Sequence, residues 1–316
     1  MEGGRNRRRS NYHFVQKEHL KLDDLRKRKR SGNKNLFNNG EIPKYPRPEI
    51  HVSRLKHDTD IQGLKGIKKS GGFRNPFGTG LVWWGLVVGG EEVRSAEQRL
   101  LQETYPDRTK QQVQDQKKFL RKFASSLAFK KSSLFGSYRF TFLLKDLLKA
   151  YTLQFCGGEQ PVMRVYQTHL YPQEVMYAVL VHSPANQEQF SEHPLLTDDP
   201  NAVCCYRDGR FIWRPEAMCG THRYELLQND KFRKMEAVKM KDCGYRRFEN
   251  YVWDNVGIVL HVENKQLEFD PALLRNKLKF CKGEKLPQAP DNFDDFETAG
   301  ENVRRLWPED PPLKKV

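Results

Sequence analysis

Ten consecutive residues near the middle of the chain, Gln173-Glu174-Val175-Met176-Tyr177-Ala178-Val179-Leu180-Val181-His182, set the tightest limit on how it can fold. Their β-branched and aromatic content, without Gly or Pro, predicts a strand. Val175, Tyr177, Val179 and Val181 fall on one face, and Met176, Ala178 and Leu180 on the other. A strand apolar on both faces is buried on both sides. Glu174 stands at its entrance, on the Met176 face. A carboxylate at the lip of a buried sheet costs free energy unless it is solvated, paired or used.

The chain has 316 residues, enough for one large domain or two small ones. No stretch of about 18 apolar residues occurs, so no membrane-spanning helix is expected. The first nine residues, Met-Glu-Gly-Gly-Arg-Asn-Arg-Arg-Arg, lead into no apolar segment, so no secretory signal is expected. The six cysteines, Cys156, Cys204, Cys205, Cys219, Cys243 and Cys281, form no Cys-x-x-Cys pair and show no zinc-ligand spacing. Reduced thiols in a nuclear or cytoplasmic protein are the expectation. The net charge is +15, and residues 1–47 hold 14 Lys/Arg against 5 Asp/Glu, a net of +9. Such a concentration attracts polyanions through counterion release and long-range steering, although a solvated, solubilising tail has the same composition.

Residues 1–47 therefore read as a disordered basic arm and linker, poor in aliphatics. Arg7, Arg8 and Arg9, and the run Arg26-Lys27-Arg28-Lys29-Arg30, are its candidate contacts to nucleic acid or to an acidic protein. The second run also resembles a nuclear localisation signal. Three prolines in Ile42–Pro48 mark the start of a globular domain over 48–283, and a loosely ordered tail is expected over 284–316. Within the domain, strands are predicted over 51–55, 81–88, 138–143, 162–168, 173–182 and 256–262, with a hairpin over 203–214. Helices are predicted from Ile61 to the Gly71-Gly72 stop, over 91–103, from Asp107 through Leu127, after Leu143, and over 273–278. Strands and helices do not alternate strictly. The expected fold is α+β, a single mixed or antiparallel sheet with flanking helices.

No Gly-x-Gly-x-x-Gly after a strand, Walker A, Gly-x-Ser-x-Gly or His-Glu-x-x-His motif occurs. What remains is an ordered set. His51-Val52-Ser53 opens the domain, the helix from Ile61 ends in Lys68-Lys69-Ser70-Gly71-Gly72-Phe73, an aromatic-bearing strand follows, and Glu174 enters a buried strand later. This order resembles the His–aromatic–Glu branch of the ADP-ribosyltransferase superfamily. Its members begin with a His-x-Ser/Thr strand, followed by a helix that ends in a Gly-Phe-like turn. The resemblance implies an ADP-ribosyltransferase-like fold with NAD as substrate. It implies His51 and Ser53 on the dinucleotide, and an aromatic among Trp83, Trp84 and Tyr138 stacked on nicotinamide. Glu174 and His51 would be the catalytic pair, with Glu174 stabilising the oxocarbenium-like charge. A carboxylate preorganised in a partly desolvated cleft contributes about 3–4 kcal/mol to such a step. Stacking and cation–π attraction add about 0.5–2 kcal/mol. The Trp83-Trp84, Arg139–Phe142 and Gln173–His182 blocks also look like a group of fish proteins of unknown function, a likeness that implies no activity.

Two functions follow as expectations. One is an NAD-consuming transferase of the ADP-ribosyl type acting on protein or nucleic acid, which requires His51, an aromatic and Glu174 to meet in one cleft. The other is a non-catalytic nuclear or cytoplasmic binding protein whose basic arm contacts nucleic acid or an acidic partner. Each proposed site residue also has a plainer role. His51 can be a strand-end histidine bonded to backbone, and Glu174 a strand-start carboxylate in water or beside an Arg or Lys. Trp83 and Trp84 point to opposite faces, so at least one is core, and Cys204-Cys205 is packing.

Overall fold

The computed structural model describes residues 2–5, 11–16, 47–75, 78–124, 126–170, 175–199, 202–215, 222–229, 232–239, 255–284 and 293–316. In chain order the elements are β1 (Glu2–Arg5), β2 (Asn11–Gln16), β3 (Ile50–Val52), β4 (Arg54–Thr59), α1 (Ile61–Ser70), β5 (Gly72–Phe73), β6 (Leu81–Val87), α2 (Gly90–Thr104), α3 (Lys110–Asp115), β7 (Tyr138–Leu143) and α4 (Leu144–Phe155). They continue with β8 (Val162–Leu170), β9 (Val175–His182), β10 (Cys204–Arg207), β11 (Arg210–Trp213), β12 (His222–Asn229), β13 (Phe232–Lys239), β14 (Asn255–His261), β15 (Leu267–Glu268), α5 (Pro271–Lys277), β16 (Leu278–Phe280) and α6 (Phe296–Leu306).

Nine of the described strands make one sheet, in the order β1-β2-β8-β9-β14-β6-β4-β7-β16. Every neighbouring pair is antiparallel except β14 with β9. The architecture is thus mixed α+β, with a mostly antiparallel sheet and flanking helices. Within the expected arm, the backbones of Glu2–Arg5 and Asn11–Gln16 lie at one edge of this sheet, β2 pairing with β8. A second sheet, β10-β11-β3, joins the 204–213 hairpin to the strand that carries His51.

The sheet buries both faces, as the 173–182 run requires. Tyr177, Val179 and Val181 of β9 enter the main core, whereas Ala178 and Leu180 belong to a smaller cluster with Leu81, Phe190 and Val259. On the main side, α1 packs on β4 and β5, and α4 and α5 pack on β7. The local chemistry of α1 explains its limits. The Asp60 side chain accepts from the Gly63 amide, Leu64 and Ile67 are its buried residues, and Gly71 ends it in the left-handed region at φ 72°.

Two expectations need correction. The helix predicted from Asp107 through Leu127 is only the six-residue α3, followed by 3-10 turns at Leu120–Phe123 and Leu127–Phe129. Glu97, a buried carboxylate of α2, accepts the Phe119 and Leu120 amides at 2.8 and 2.9 Å and so draws those donors away from a continuing helix. The loosely ordered tail also differs over 293–316. There α6 starts on an Asp295 cap and buries Ala299 and Val303, and Trp307 and Leu313 follow it into the core.

A segment with little regular structure, 116–137, is held by buried side chains of the sheet. Lys56 Nζ donates to the Leu127 carbonyl at 2.6 Å, and Arg139 donates to Lys131 and Ser132 carbonyls at 3.2 and 3.0 Å. Burial, and then the nearby Arg139 charge, pull the Lys56 ammonium down from 10.5 to about 8. Between those values the unfolded chain holds one more proton than the folded one. Stability should therefore rise with pH across that window, by on the order of 3 kcal/mol. Urea midpoints at about pH 8 and about pH 10 should show that rise in the native chain and not in Lys56→Met. Equal slopes in the two would place the ammonium in water. No helix among the described residues is long and apolar enough to cross a membrane.

Candidate functional site

A cleft of about 670 Å³ opens where β6 gives way to α2. Its floor is the Gly89-Gly90 turn, and Ser53 and Arg54 at the start of β4 form one wall. The other wall is basic, with Arg94 of α2 and, from the 116–123 segment, Lys118 and Arg121. The chain shapes this cleft with its own carboxylates. Glu92 accepts the Gly89 amide at 2.9 Å and pairs with Arg54 at 3.0 Å. Glu97 is committed to the Phe119 and Leu120 amides. Those two bonds, with the burial of Phe119, Leu120 and Phe123, fix the segment so that Lys117, Lys118, Arg121 and Lys122 all point outward.

Once these pairings are made, Arg94, Lys118 and Arg121 line the cleft with no carboxylate within 4 Å among the described residues, and Glu91 is the exposed acid beside them. Unpaired cations around a backbone turn favour anions such as phosphate. The side-chain amines and guanidinia supply charge and hydrogen bonds, and the exposed Ser53 hydroxyl lines the same space.

The expected site residues do not come together. His51 lies on β3, opposite Ile212 of β11, with Nε2 3.9 Å from Glu49 Oε2. Burial, followed by the Arg99 charge, lowers its pKa below the ordinary 6.5. It borders a network in which Arg214 bridges Glu49 and Asp198 at 2.8 and 2.7 Å and Arg207 shares Asp198 at 2.7 Å. Ser53 is exposed, and it alone of the expected NAD contacts lines the cleft. Trp84 is 1% exposed in the main core, against Phe73, Phe142 and His57. Trp83 sits on the opposite face near Tyr166. Tyr138 is fully buried, its phenol bonded to Asp294 and Asn302, and burial raises its pKa. Glu174, Arg7, Arg8, Arg9, Arg26, Lys27, Arg28, Lys29 and Arg30 lie outside the described residues.

Cys219 and Cys243 lie outside the described residues. Cys204 and Cys205 are both buried, and burial together with the Asp198 hydrogen bond pushes Cys205 up to about 11. No group of three or more potential ligands for a metal ion occurs among the described residues.

Sequence reasoning missed two features that had local signals. One is the basic run Lys117-Lys118-Phe119-Leu120-Arg121-Lys122, whose apolar pair marks an anchored rather than a solvated segment. The other is a second His-x-Ser/Thr pattern, His57-Asp58-Thr59. It lies on β4, the strand that feeds α1 directly, and His57 packs 5.1 Å from Phe73 and 5.4 Å from Trp84 by ring centroids. Its Nδ1 bonds the Trp83 carbonyl at 2.9 Å, and burial lowers its pKa. No protein-family model, no curated protein and no solved structure matches this chain.

Proposed function

We propose that this is a non-catalytic nucleic-acid-binding protein that takes the phosphodiester backbone into the cleft at the start of α2. The observation that carries the reading is the set Arg94, Lys118 and Arg121 around the Gly89-Gly90 turn, three cations left over after every buried carboxylate nearby has a partner. The net charge of +15, of which +9 lies in residues 1–47, supplies long-range attraction to the same ligand. Arg26–Arg30 adds to that charge and serves as a nuclear localisation signal. Readout is electrostatic and indifferent to sequence, because phosphate contacts position a nucleic acid without reading its bases.

Fluorescence anisotropy with a labelled oligonucleotide, between about 50 and about 200 mM salt, tests this. Binding should weaken steeply with salt. The triple variant Arg94→Glu/Lys118→Glu/Arg121→Glu should reduce the log–log salt slope by about 3, one unit per lost phosphate contact. An unchanged slope in the triple variant would remove the cleft from the interface.

One observation favours a second reading, NAD-dependent ADP-ribosyl transfer on an ADP-ribosyltransferase-like fold. His57-Asp58-Thr59, α1 and the Ser70-Gly71-Gly72-Phe73 turn follow one another in the order that resemblance describes. In this reading His57 replaces His51 as the dinucleotide contact and Glu174 keeps its role. The same titration separates the two. Saturable NAD binding that is lost in Glu174→Gln, with oligonucleotide binding unaffected by the triple reversal, would favour the transferase.

A further inference from the structure

A buried guanidinium ordinarily meets a carboxylate, because an uncompensated charge in the interior is costly. Arg164 of β8 is 6% exposed and has no carboxylate within 4 Å among the described residues. Its Nε–H donates instead to His182 Nε2 at 3.0 Å, and its Nη1 donates to the His193 carbonyl at 2.7 Å. Arginine cannot accept, so His182 Nε2 carries the lone pair and Nδ1 the proton, which is given to the Ser183 carbonyl at 2.7 Å. A second imidazole is used in the same sense. The Asn186 amide donates to His261 Nδ1 at 3.1 Å and to Glu263 at 3.0 Å.

His182 thus orients Arg164 from the neighbouring strand, Arg164 holds the His193 carbonyl, and Asn186 holds His261 and Glu263, so that segment 183–193 is closed over the smaller apolar face of the sheet. It begins with the 3-10 turn Pro184–Asn186, and Phe190 plugs the space between His182 and His261 with ring centroids 5.0 and 4.8 Å away. Its far end is pinned by backbone bonds that do not titrate, Val165 N–H to Pro194 at 2.8 Å and Leu196 N–H to Met163 at 2.9 Å. The middle therefore hangs on side chains between two fixed ends.

We propose that residues 183–193 are an acid-released strap, latched while the imidazoles of His182 and His261 accept hydrogen bonds and let go when each takes up a proton. Protonated imidazole has no acceptor, so both bonds are lost, and His182 then stands as a second cation against Arg164. The neighbouring groups act in known directions. Burial lowers both histidines below 6.5; at His182 the hydrogen bond to the Ser183 carbonyl opposes this while Arg164 and the other two histidines add to it, and Glu263 pulls His261 upward. On the strap, Glu188 and Glu192 are exposed. From α4, Tyr151 donates to the His261 carbonyl at 2.6 Å, and both it and Cys156 are pushed up by burial, away from this pH range. With both histidines depressed in the closed form, closure is complete above about pH 6.5 and weakens as pH falls below it. Opening uncovers Leu81, Leu180 and Val259 beneath Phe190. The proposal does not depend on the polyanion reading.

Amide hydrogen exchange on the full chain at about pH 7.5 and about pH 5.5, corrected for the intrinsic chemical rate, tests it. Protection over 183–193 should fall by up to about tenfold per pH unit for each proton taken up, with β6 and β14 unchanged. The variant His182→Gln/His261→Gln keeps acceptors that do not titrate and should hold the strap closed at the lower pH. Equal protection at the two pH values, loss shared with β6 and β14, or opening of the variant like the native chain would overturn the proposal. Should that variant not fold, NMR titration of the two histidines in the native chain decides it. Titration tracking strap exchange supports the latch, and titration at the ordinary value with no link to strap exchange overturns it.

Discussion

Asp58→Ala should cost about 3–5 kcal/mol and lower the melting temperature by about 10 °C. Asp58 takes Arg139 bidentately, Oδ1 from Nε at 2.6 Å and Oδ2 from Nη2 at 2.7 Å, with side chains 6% and 3% exposed. Removing the carboxylate strands a guanidinium that no water can reach. It also strips Lys56, buried two residues back along the same strand, of the negative charge that opposes its depression. The loss should extend to segment 116–137, whose carbonyls at Leu127, Lys131 and Ser132 are gathered by these two cations. Urea denaturation followed by circular dichroism measures the cost. Asp58→Leu/Arg139→Met should recover most of it, since a packed apolar pair leaves no orphan charge. A loss below about 1 kcal/mol for Asp58→Ala would mean that Arg139 reaches solvent.

The contrast between such pairs and the strands shows what the chain discloses on reading. Alternation in Tyr138–Leu143, the 204–213 hairpin around Asp208-Gly209 and the doubly apolar 175–182 run are local patterns, and each is a strand as expected. Which strand lies beside which is not local. The parallel pairing of β14 with β9 joins segments about 80 residues apart, and the sequence carries no mark of it. The helix expected through Leu127 fails for the same reason, because the acceptor that ends it, Glu97, sits 22 residues before Phe119. The C-terminal helix was hidden by the Pro- and Asp-rich composition around it, though its Asp295 cap was in view. The cleft is assembled from β4, the β6–α2 turn and the 116–123 segment, so its cations could be seen one by one but not as a set. Ser53 alone was placed at it from sequence, and for a different ligand.

Trp83 and Trp84 offer the sharpest separation of packing from function, since both were expected to be able to meet nicotinamide and the strand sends them to opposite faces. Trp84→Ala should cost about 3–5 kcal/mol, the price of emptying an indole-sized space in a packed core. Its ring is held edge-on by Phe73 at 4.9 Å and Phe142 at 5.7 Å, and lies 5.4 Å from His57. Truncation would loosen the junction of β4, β5 and β7 on which α1 and α4 rest. Trp83→Ala should cost less, about 1–2 kcal/mol, because Trp83 is only partly buried and its ring touches the smaller cluster at Tyr166. Thermal denaturation of the two variants side by side gives the comparison. If the order of the two losses were reversed, the register that pairs Ile258 with Trp84 and Val259 with Trp83 would be wrong by one residue. Such a slip would turn every side chain of β6 to the other face and move the Gly89-Gly90 turn, and with it the cleft, away from Arg94, Lys118 and Arg121.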